Sequence, residues 1–284
     1  MGGRPLDLTT ADIARRCERI EADAWSAMHA ALSPADRAAL GVAAERMDAA
    51  LSLMSPRFDS AMVNRTVGLG LERPLTEPMV DRLRDEYVAR DIPRWLIQWC
   101  PYAEPATAPE WFTSRGAKRV LPSARWWQPI GAEAPPPIES DLSVIEVGPE
   151  SRALFGDIVT SATGIESALQ PLVSSFIGHP DWRGYLVIRG STAVAAGALF
   201  VSGRGAWLGL AGTLPSDRNH GAQRLLIRQR LADARAMGCA WTTSETALAT
   251  LERPNASHRN MEREHFQLAY VRQTYLIESA SNMP

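Results

Sequence analysis

The sequence is almost without lysine: Lys118 is the only one among 30 basic residues, and the others are arginines. The formal net charge is only -2, so basic and acidic side chains nearly balance. This balance argues against a general nucleic-acid binder or a protein held on anionic membranes by charge. We interpret the preference for arginine as a mark of genome composition, without functional meaning.

Cysteine is also scarce, and Cys17, Cys100 and Cys239 are far apart in the chain. An odd number without a CxxC pair or zinc-like spacing predicts reduced thiols and no metal site, as in a cytoplasmic protein. The longest apolar run, residues 193–201, is about half the length that spans a bilayer. The opening MGGRPLD has no signal-peptide core, so we expect a cytoplasmic protein without a membrane segment.

Several catalytic motifs are absent from the sequence, namely GxxxxGK(S/T), HExxH, GxSxG and the EF-hand loop. Gly68-Leu69-Gly70 could begin a dinucleotide fingerprint, but Arg73 stands where its third glycine belongs. What the chain does have is an ordinary globular composition, with 45% hydrophobic and 22% charged residues over 284 positions. This predicts one large domain or two of ordinary size.

Alternating helical and strand patterns predict an α/β protein. Helices are predicted at 9–54 (two of them), 78–90, 108–114, 150–162, 165–177, 218–237 and 257–264, and strands at 61–71, 95–99, 119–127, 142–147, 185–189, 192–202, 206–214, 239–245 and 266–277. Three consecutive prolines break the pattern. We therefore predict an N-terminal region at 1–131, a linker at 132–140 and a second domain at 141–284. The two halves repeat a helix–strand–helix–strand order, which indicates duplication or simply the alternation of any α/β protein.

The connection from strand to helix differs between the halves: it is short in the first, at 71–76, and polar with Gly and Arg in the second. Residues 211–223 read AGTLPSDRNHGAQ, a strand end that leads through a glycine to a long helix. Unpaired N–H groups at a helix start attract anions, and Gly221 lets a phosphate approach the backbone. Arg218 adds a charge that can grip phosphate oxygens. The alternative is an ordinary capped helix with a surface arginine.

This loop resembles the acetyl-CoA signature Q/R-x-x-G-x-G/A of the GNAT superfamily of N-acetyltransferases. Arg218 and Gly221 match it, whereas Gln223 stands at the last position. Downstream, residues 255–272 resemble the GNAT segment in which Asn, a short helix and Gly-Phe precede the last strands, with His265 in place of the Gly. The resemblance covers residues 141–278, and 55–130 look like the degenerate half of a tandem GNAT protein. It implies two GNAT-like mixed-sheet domains, of which only the second is complete.

The resemblance also implies that acetyl-CoA is the acyl donor. The residues expected to bind it are Ala211, Gly212, Thr213, Arg218, Asn219, His220, Gly221, Ala222, Gln223, Asn255 and Asn260. Backbone groups of the first three would pair with the pantetheine arm, and the loop amides would cradle the pyrophosphate. A backbone N–H of the fourth strand of the second domain, predicted at 206–214, would hold the oxyanion. The partner is then a small-molecule or peptide amine, with no nucleic acid or membrane, and the protein is a monomer or homodimer.

Proton transfer needs a base for the ammonium and an acid for the leaving thiolate. Glu245, at a strand end, is the candidate base; otherwise it is a solvated carboxylate. Met261 occupies the position where many GNAT enzymes have a tyrosine, so Tyr270, Tyr275 or water must supply the acid. Tyr270 is our candidate, with a packed strand aromatic as the alternative. A GNAT-like sensor that binds acyl-CoA without turnover is the rival function.

Overall fold

A computed structural model describes residues 8–60, 62–131 and 138–278. The α-helices are α1 (Thr10–Ala30), α2 (Pro34–Leu40), α3 (Glu77–Val88), α4 (Ala108–Ser114), α5 (Arg152–Thr163), α6 (Gln170–Val173), α7 (Ala222–Ala236) and α8 (Ala256–Arg263). The strands are β1 (Ala43–Met47), β2 (Ala50–Met54), β3 (Arg65–Val67), β4 (Arg94–Trp99), β5 (Lys118–Pro129), β6 (Leu142–Glu146), β7 (Trp182–Arg189), β8 (Thr192–Ser202), β9 (Gly205–Thr213), β10 (Trp241–Ala247) and β11 (Gln267–Glu278). Most of the expected linker and the opening MGGRPLD lie outside the described residues.

All these strands form one mixed sheet in the order β1-β2-β3-β4-β11-β5-β10-β9-β8-β7-β6. The pairs β3–β4 and β9–β10 are parallel, and the other neighbours are antiparallel. β11 lies between β4 and β5, and β5 lies between β11 and β10. The final strand of each half is therefore inserted beside strands of the other half. The units β3–α3–β4–α4–β5 and β9–α7–β10–α8–β11 have the same order of elements. Their strands take equivalent places on the two sides of the β11–β5 pair, which supports duplication.

Two helix predictions were wrong. Residues 43–54 form a hairpin, β1–β2, with Asp48 at a φ of 55° in its turn. Every residue of β2 is buried, and a short apolar run does not separate a strand from a buried helix by its period. Residues 165–177 hold only a 3₁₀ turn and the four-residue α6, because Pro171 fits the first turn of a helix and not its interior.

The second half of the sheet is covered on both faces. Trp207 and Leu208 are neighbours on β9, so their side chains point to opposite faces. Trp207 packs in the cluster that contains residues of α1, α5 and α6. Leu208 packs with Leu226 and Ile227 of α7. α1 also reaches α6, where Ser175 Oγ donates to the carbonyl of Met28 at 2.7 Å. The first helix of the chain thus lies against the second half.

Candidate functional site

The feature that shapes the site is a bulge in β9. β9 and β10 pair only as far as Leu208 and Ser244. Beyond that point the β8–β9 register shifts between Ala196 and Ala198, β9 supplies the extra residue, and Leu210 has a φ of 48°. A bulge leaves a residue out of the ladder and bends the strand. The last residues of β9 therefore diverge from β10.

A cleft of about 850 Å³ lies where β9 ends, between the start of α7 and α8. It is lined by ten of the eleven residues predicted to bind the cofactor: Ala211, Gly212, Thr213, Arg218, Asn219, Gly221, Ala222, Gln223, Asn255 and Asn260. His220, the eleventh, is exposed in the same loop, and its Nδ1 lies 3.4 Å from the carbonyl oxygen of Asp217. Residues separated by more than forty positions in the sequence thus converge on one concave surface.

The loop before α7 is held in left-handed backbone conformations. Asn219 has a φ of 67° and Gly221, the N-cap residue, a φ of 84°. The helix therefore begins at Ala222 and not at residue 218, as predicted. A Cβ built on Gly221 has no atom within 4 Å, so it would stand in open space beside the cleft. The N–H groups of the first turn are left to bind an anion there.

The cleft carries more positive charge than sequence reasoning found. Arg218, Arg259 and Arg263 line it, and none has a carboxylate within 4 Å among the described residues. Arg224, also in the lining, is held by Glu264 at 2.7 Å. Arg259 and Arg263 are four residues apart on α8, so they share a face of that helix. This helical spacing of two arginines was the signal available in the sequence.

Gln223, where the loop departs from the GNAT signature, joins the two helices that wall the cleft. Its Nε2 donates to Ser257 Oγ at 2.9 Å, and its Oε1 accepts from Asn260 Nδ2 at 2.8 Å. Asn255 caps α8, because its Oδ1 accepts from the backbone N–H of His258 at 3.0 Å. These polar side chains therefore fix α8 against the start of α7.

Glu245 and Tyr270 do not line the cleft; they belong to a charged group at the junction of the halves. Glu245 is the cross-strand neighbour of Arg125, and its Oε2 accepts from Arg125 Nη1 at 2.9 Å and from Arg272. Its side chain is 26% exposed. Tyr270 is buried and donates to Glu18 Oε1 at 2.6 Å. Burial, together with the Glu18 carboxylate, raises the pKa of Tyr270 well above its usual value.

Helix α1 supplies the remaining members of this group. Glu21 Oε2 lies 2.8 Å from Arg125 Nη1 and 2.5 Å from Arg272 Nη1, and Glu18 lies 3.2 Å from the same Arg272 atom. We call Glu18, Glu21, Arg125, Glu245 and Arg272 the buried ion cluster. Burial opposes ionisation of Glu21, yet the charges of Arg125 and Arg272 lower its pKa well below the usual range. Sequence reasoning missed the acids of α1, which lie three positions apart on its buried face.

The first half has no comparable cleft among the described residues. Its strand–helix connection spans residues 68–76, because β3 ends at Val67, so the expectation of a short connection at 71–76 was wrong. Glu104 fills the space: its N–H donates to Gly70 and its carbonyl accepts from Leu75, both at 2.8 Å. The nearby cavity measures about 10 Å³. The chain itself therefore takes the place that a ligand would need.

Searches against family models and curated proteins found no match for this sequence. Solved structures do match. A GCN5-related N-acetyltransferase from Kribbella flavida has a TM-score of 0.64 at 16% identity, covering 93% of this chain and 97% of that one. Another from Sphaerobacter thermophilus has a TM-score of 0.60 at 14% identity, covering 82% of each chain. A tandem GNAT protein from the clavulanic acid biosynthesis pathway has a TM-score of 0.53 at 13% identity, covering 77% and 76%.

These likenesses and the sheet topology show that the chain has the GNAT fold in a tandem arrangement. At these identities the resemblance is one of fold. Within the described residues, no helix combines the length and apolar character needed to cross a bilayer.

Proposed function

We propose that the chain transfers the acetyl group of acetyl-CoA to an amine by direct attack in a ternary complex. The observation that carries the proposal is the cleft at the end of β9, on which ten of the predicted cofactor residues converge. Its arginines Arg218, Arg259 and Arg263 have no acidic partner among the described residues, so they are available to a polyanion. A cleft of this chemistry fits a phosphorylated ligand.

The residues fit acetyl-CoA in a definite orientation. The end of β9, residues 211–213, borders the cleft after leaving β10, and its backbone groups can pair with the pantetheine arm as a neighbouring strand would. The first turn of α7 and Arg218 would hold the pyrophosphate. Gly221 leaves the backbone accessible there. The acyl group would then lie near the bulge, where β9 and β10 separate.

The reaction joins the amine nitrogen to the thioester carbonyl carbon while the carbon–sulfur bond breaks and the thiolate leaves. A backbone N–H of the bulge would hold the oxygen as it becomes negative. Glu245, just past the last β9–β10 pair, is the proposed base. Its Oε2 is taken by two arginines, whereas no described residue bonds its Oε1, which leaves that oxygen to receive the proton. Tyr270 is the proposed acid, and its hydroxyl must then leave Glu18.

A catalytically inactive acyl-CoA sensor is the second candidate function. Met261 is 2% exposed in the core, and the Tyr270 hydroxyl is engaged inside the protein. Neither side chain presents an acid to the cleft in this conformation. Such a protein would bind acetyl-CoA in the same cleft without chemical turnover.

Release of free CoA thiol, followed over time with a panel of small-molecule and peptide amines, separates these functions. We expect amine-dependent release that falls sharply in the charge-reversing variant Arg218→Glu, because this residue lines the cleft and a carboxylate there would repel the phosphates. Arg204→Glu, in the β8–β9 turn outside the lining, is the matched control. Binding measured by calorimetry without release for any amine would favour the sensor, and absence of binding would refute both functions.

A further inference from the structure

Arg230 of α7 is a buried cation that the proposed function does not use. Its side chain is buried, with the residue 2% exposed, and no carboxylate of the described residues lies within 4 Å of it. Within the described part of the chain, the hydrogen bonds of this guanidinium all go to backbone carbonyls. Nε donates to Leu226 at 2.9 Å, and Nη1 donates to Ala198 at 3.2 Å and to Gly209 at 3.4 Å. The last two residues form the register pair on one side of the β9 bulge.

A charge without a counter-ion is costly to bury, so the presence of this guanidinium in the core points to a specific task. Burial lowers the pKa of Arg230 to about 10, which leaves the guanidinium cationic at neutral pH. Gly197 makes room for it, because a Cβ at that position would lie 3.3 Å from Arg230 Cζ. Its neighbours on α7, Leu226 and Ile227, are apolar and buried, as ordinary core packing requires.

A bulge disrupts the local ladder and leaves polar groups without their usual strand partner. The guanidinium supplies donors to carbonyls on both strands at this point, one on β8 and one on β9. It therefore ties the flank of the bulge to α7. The same bulge lies between Gly209 and Gly212, where the segment 211–213 that lines the cleft begins.

We infer that Arg230 is a positioning residue for acyl transfer, which holds the β9 bulge so that a backbone N–H faces the thioester carbonyl. The inference rests on the proposed function. Arg230 neither touches the substrate nor transfers a proton. During attack, the carbonyl π electrons move to oxygen as the carbon–nitrogen bond forms. A preorganised N–H stabilises that oxygen, and a cation in low-dielectric surroundings strengthens the effect.

The test measures the carbonyl stretch of bound acetyl-CoA, labelled with ¹³C at the carbonyl, by difference infrared spectroscopy. In the native protein we expect the band to move to lower wavenumber on binding, because the N–H polarises the carbonyl. Arg230→Met, apolar and of similar length, should reduce this movement, whereas Arg230→Lys should retain part of it. Ile227→Ala is the control: it opens a cavity beside Arg230 and should lower stability without changing the band.

Turnover provides the second readout. Arg230→Met should lower kcat by about tenfold or more, while the dissociation constant of acetyl-CoA changes little, since a transition-state interaction is lost. An unchanged carbonyl band in a folded Arg230→Met protein would overturn the inference about Arg230 and leave the proposed function standing. If Arg230→Met does not fold, an Arg230→Lys band and kcat equal to those of the native protein would overturn it. Failure of the native protein to bind acetyl-CoA would instead refute the proposed function.

Discussion

At the scale of single residues, Glu245 shows how much its neighbours decide. As a sequence position it is a carboxylate at a strand end. In the structure it faces Arg125 and Arg272, and these side chains connect it to the acids of α1. Hydrogen bonds to charged groups contribute about 1.5–3 kcal/mol each, so Glu245 has a structural role in addition to its proposed chemistry. An experiment on this residue must separate the two.

Replacement of Glu245 by Gln tests the base. The variant keeps the size of the side chain but cannot accept the proton, so we expect turnover to fall by ~10²–10⁴. Acetyl-CoA affinity should hardly change, because Glu245 does not line the cleft. The rate defect should shrink as pH rises, since more of the amine is then already neutral.

Glu21→Gln is the matched control for this variant. It neutralises another carboxylate that contacts the same arginines, but Glu21 is buried on the inner face of α1, whereas Glu245 is partly exposed. We expect both variants to lose thermal stability and only Glu245→Gln to lose turnover by orders of magnitude. Native turnover in Glu245→Gln from pH 6 to 9 would contradict the proposed base.

Gly221 offers a second test at this scale. A Cβ in a left-handed conformation costs about 1–2 kcal/mol, so Gly221→Ala should lower stability even though alanine is the better helix former. The Cβ should also stand in the cleft and raise the dissociation constant of acetyl-CoA in calorimetry. Gly238 is the control position, because it has a φ of 81° and equally open surroundings. Gly238→Ala should lower stability and leave the affinity for acetyl-CoA unchanged. Equal affinities in the two variants would remove the loop from the proposed site.

At the scale of elements, the residues that α1 contacts explain why its buried face carries acidic side chains. It begins with a capping box between Thr9 and Asp12, and its buried face carries Glu18 and Glu21 toward arginines of the sheet. Near its end, Trp25 packs edge-on against Trp207 of β9, with the ring centroids 6.2 Å apart. The helix thus couples the chain start to the strand that carries the bulge.

His29, in the last turn of α1, predicts a pH dependence of stability. Burial lowers its pKa to about 4 from an ordinary 6.5, and Nδ1 bonds the Trp25 carbonyl at 2.8 Å. The unfolded chain therefore takes up a proton before the folded one as pH falls below 6.5. Stability should decline by about 3 kcal/mol from pH 7 to 4 through this residue. Glu21 does not contribute at the upper end of this window, because its lowered pKa acts only near and below 4.5.

Urea unfolding at several pH values measures this effect. We expect the slope of unfolding free energy between pH 6.5 and 4.5 to flatten in His29→Gln, whatever that change does to stability at pH 7. The same slope in both proteins would show that His29 is not the group responsible.

At the scale of the whole molecule, the exchanged final strands make the two halves one sheet. β11 pairs with β4 and β5, and β5 pairs with β10. Neither half has its complete set of strand neighbours without the other. The boundary at residues 132–140 therefore stays a prediction. It separates the two halves along the sequence, but the hydrogen-bonded sheet contains strands from both sides of it.

This arrangement predicts a single cooperative unfolding transition in calorimetry. Trp95 of the first half is 1% exposed and stacks on Tyr87, with the ring centroids 4.8 Å apart. Trp95→Ala should therefore lower the free energy of unfolding by about 3–5 kcal/mol. The whole transition should move to lower temperature. Two transitions, of which only one moves, would show that the halves unfold independently.

Binding stoichiometry follows from the difference between the two loops. In the first loop, Gly70 and Leu75 bond to the backbone of Glu104, whereas in the second loop residues 217–219 and Gly221 line an open cleft. We therefore expect one acetyl-CoA per chain in a calorimetric titration. A titration with two equivalent sites would contradict this expectation.

The sequence by itself determined the order of most elements and the place of the polar loop before α7. Those signals are local: the Pro78 start of α3, the glycine at 221 and the apolar faces of the helices act within one or two turns of chain. The hairpin at 43–54 escaped because a short apolar run fits either a strand or a buried helix. Only the tertiary structure decided the strand exchange, the buried ion cluster and the contact of Arg230 with the bulge. Each joins residues distant in the chain, and their pairing depends on strand register and burial, which no local pattern encodes.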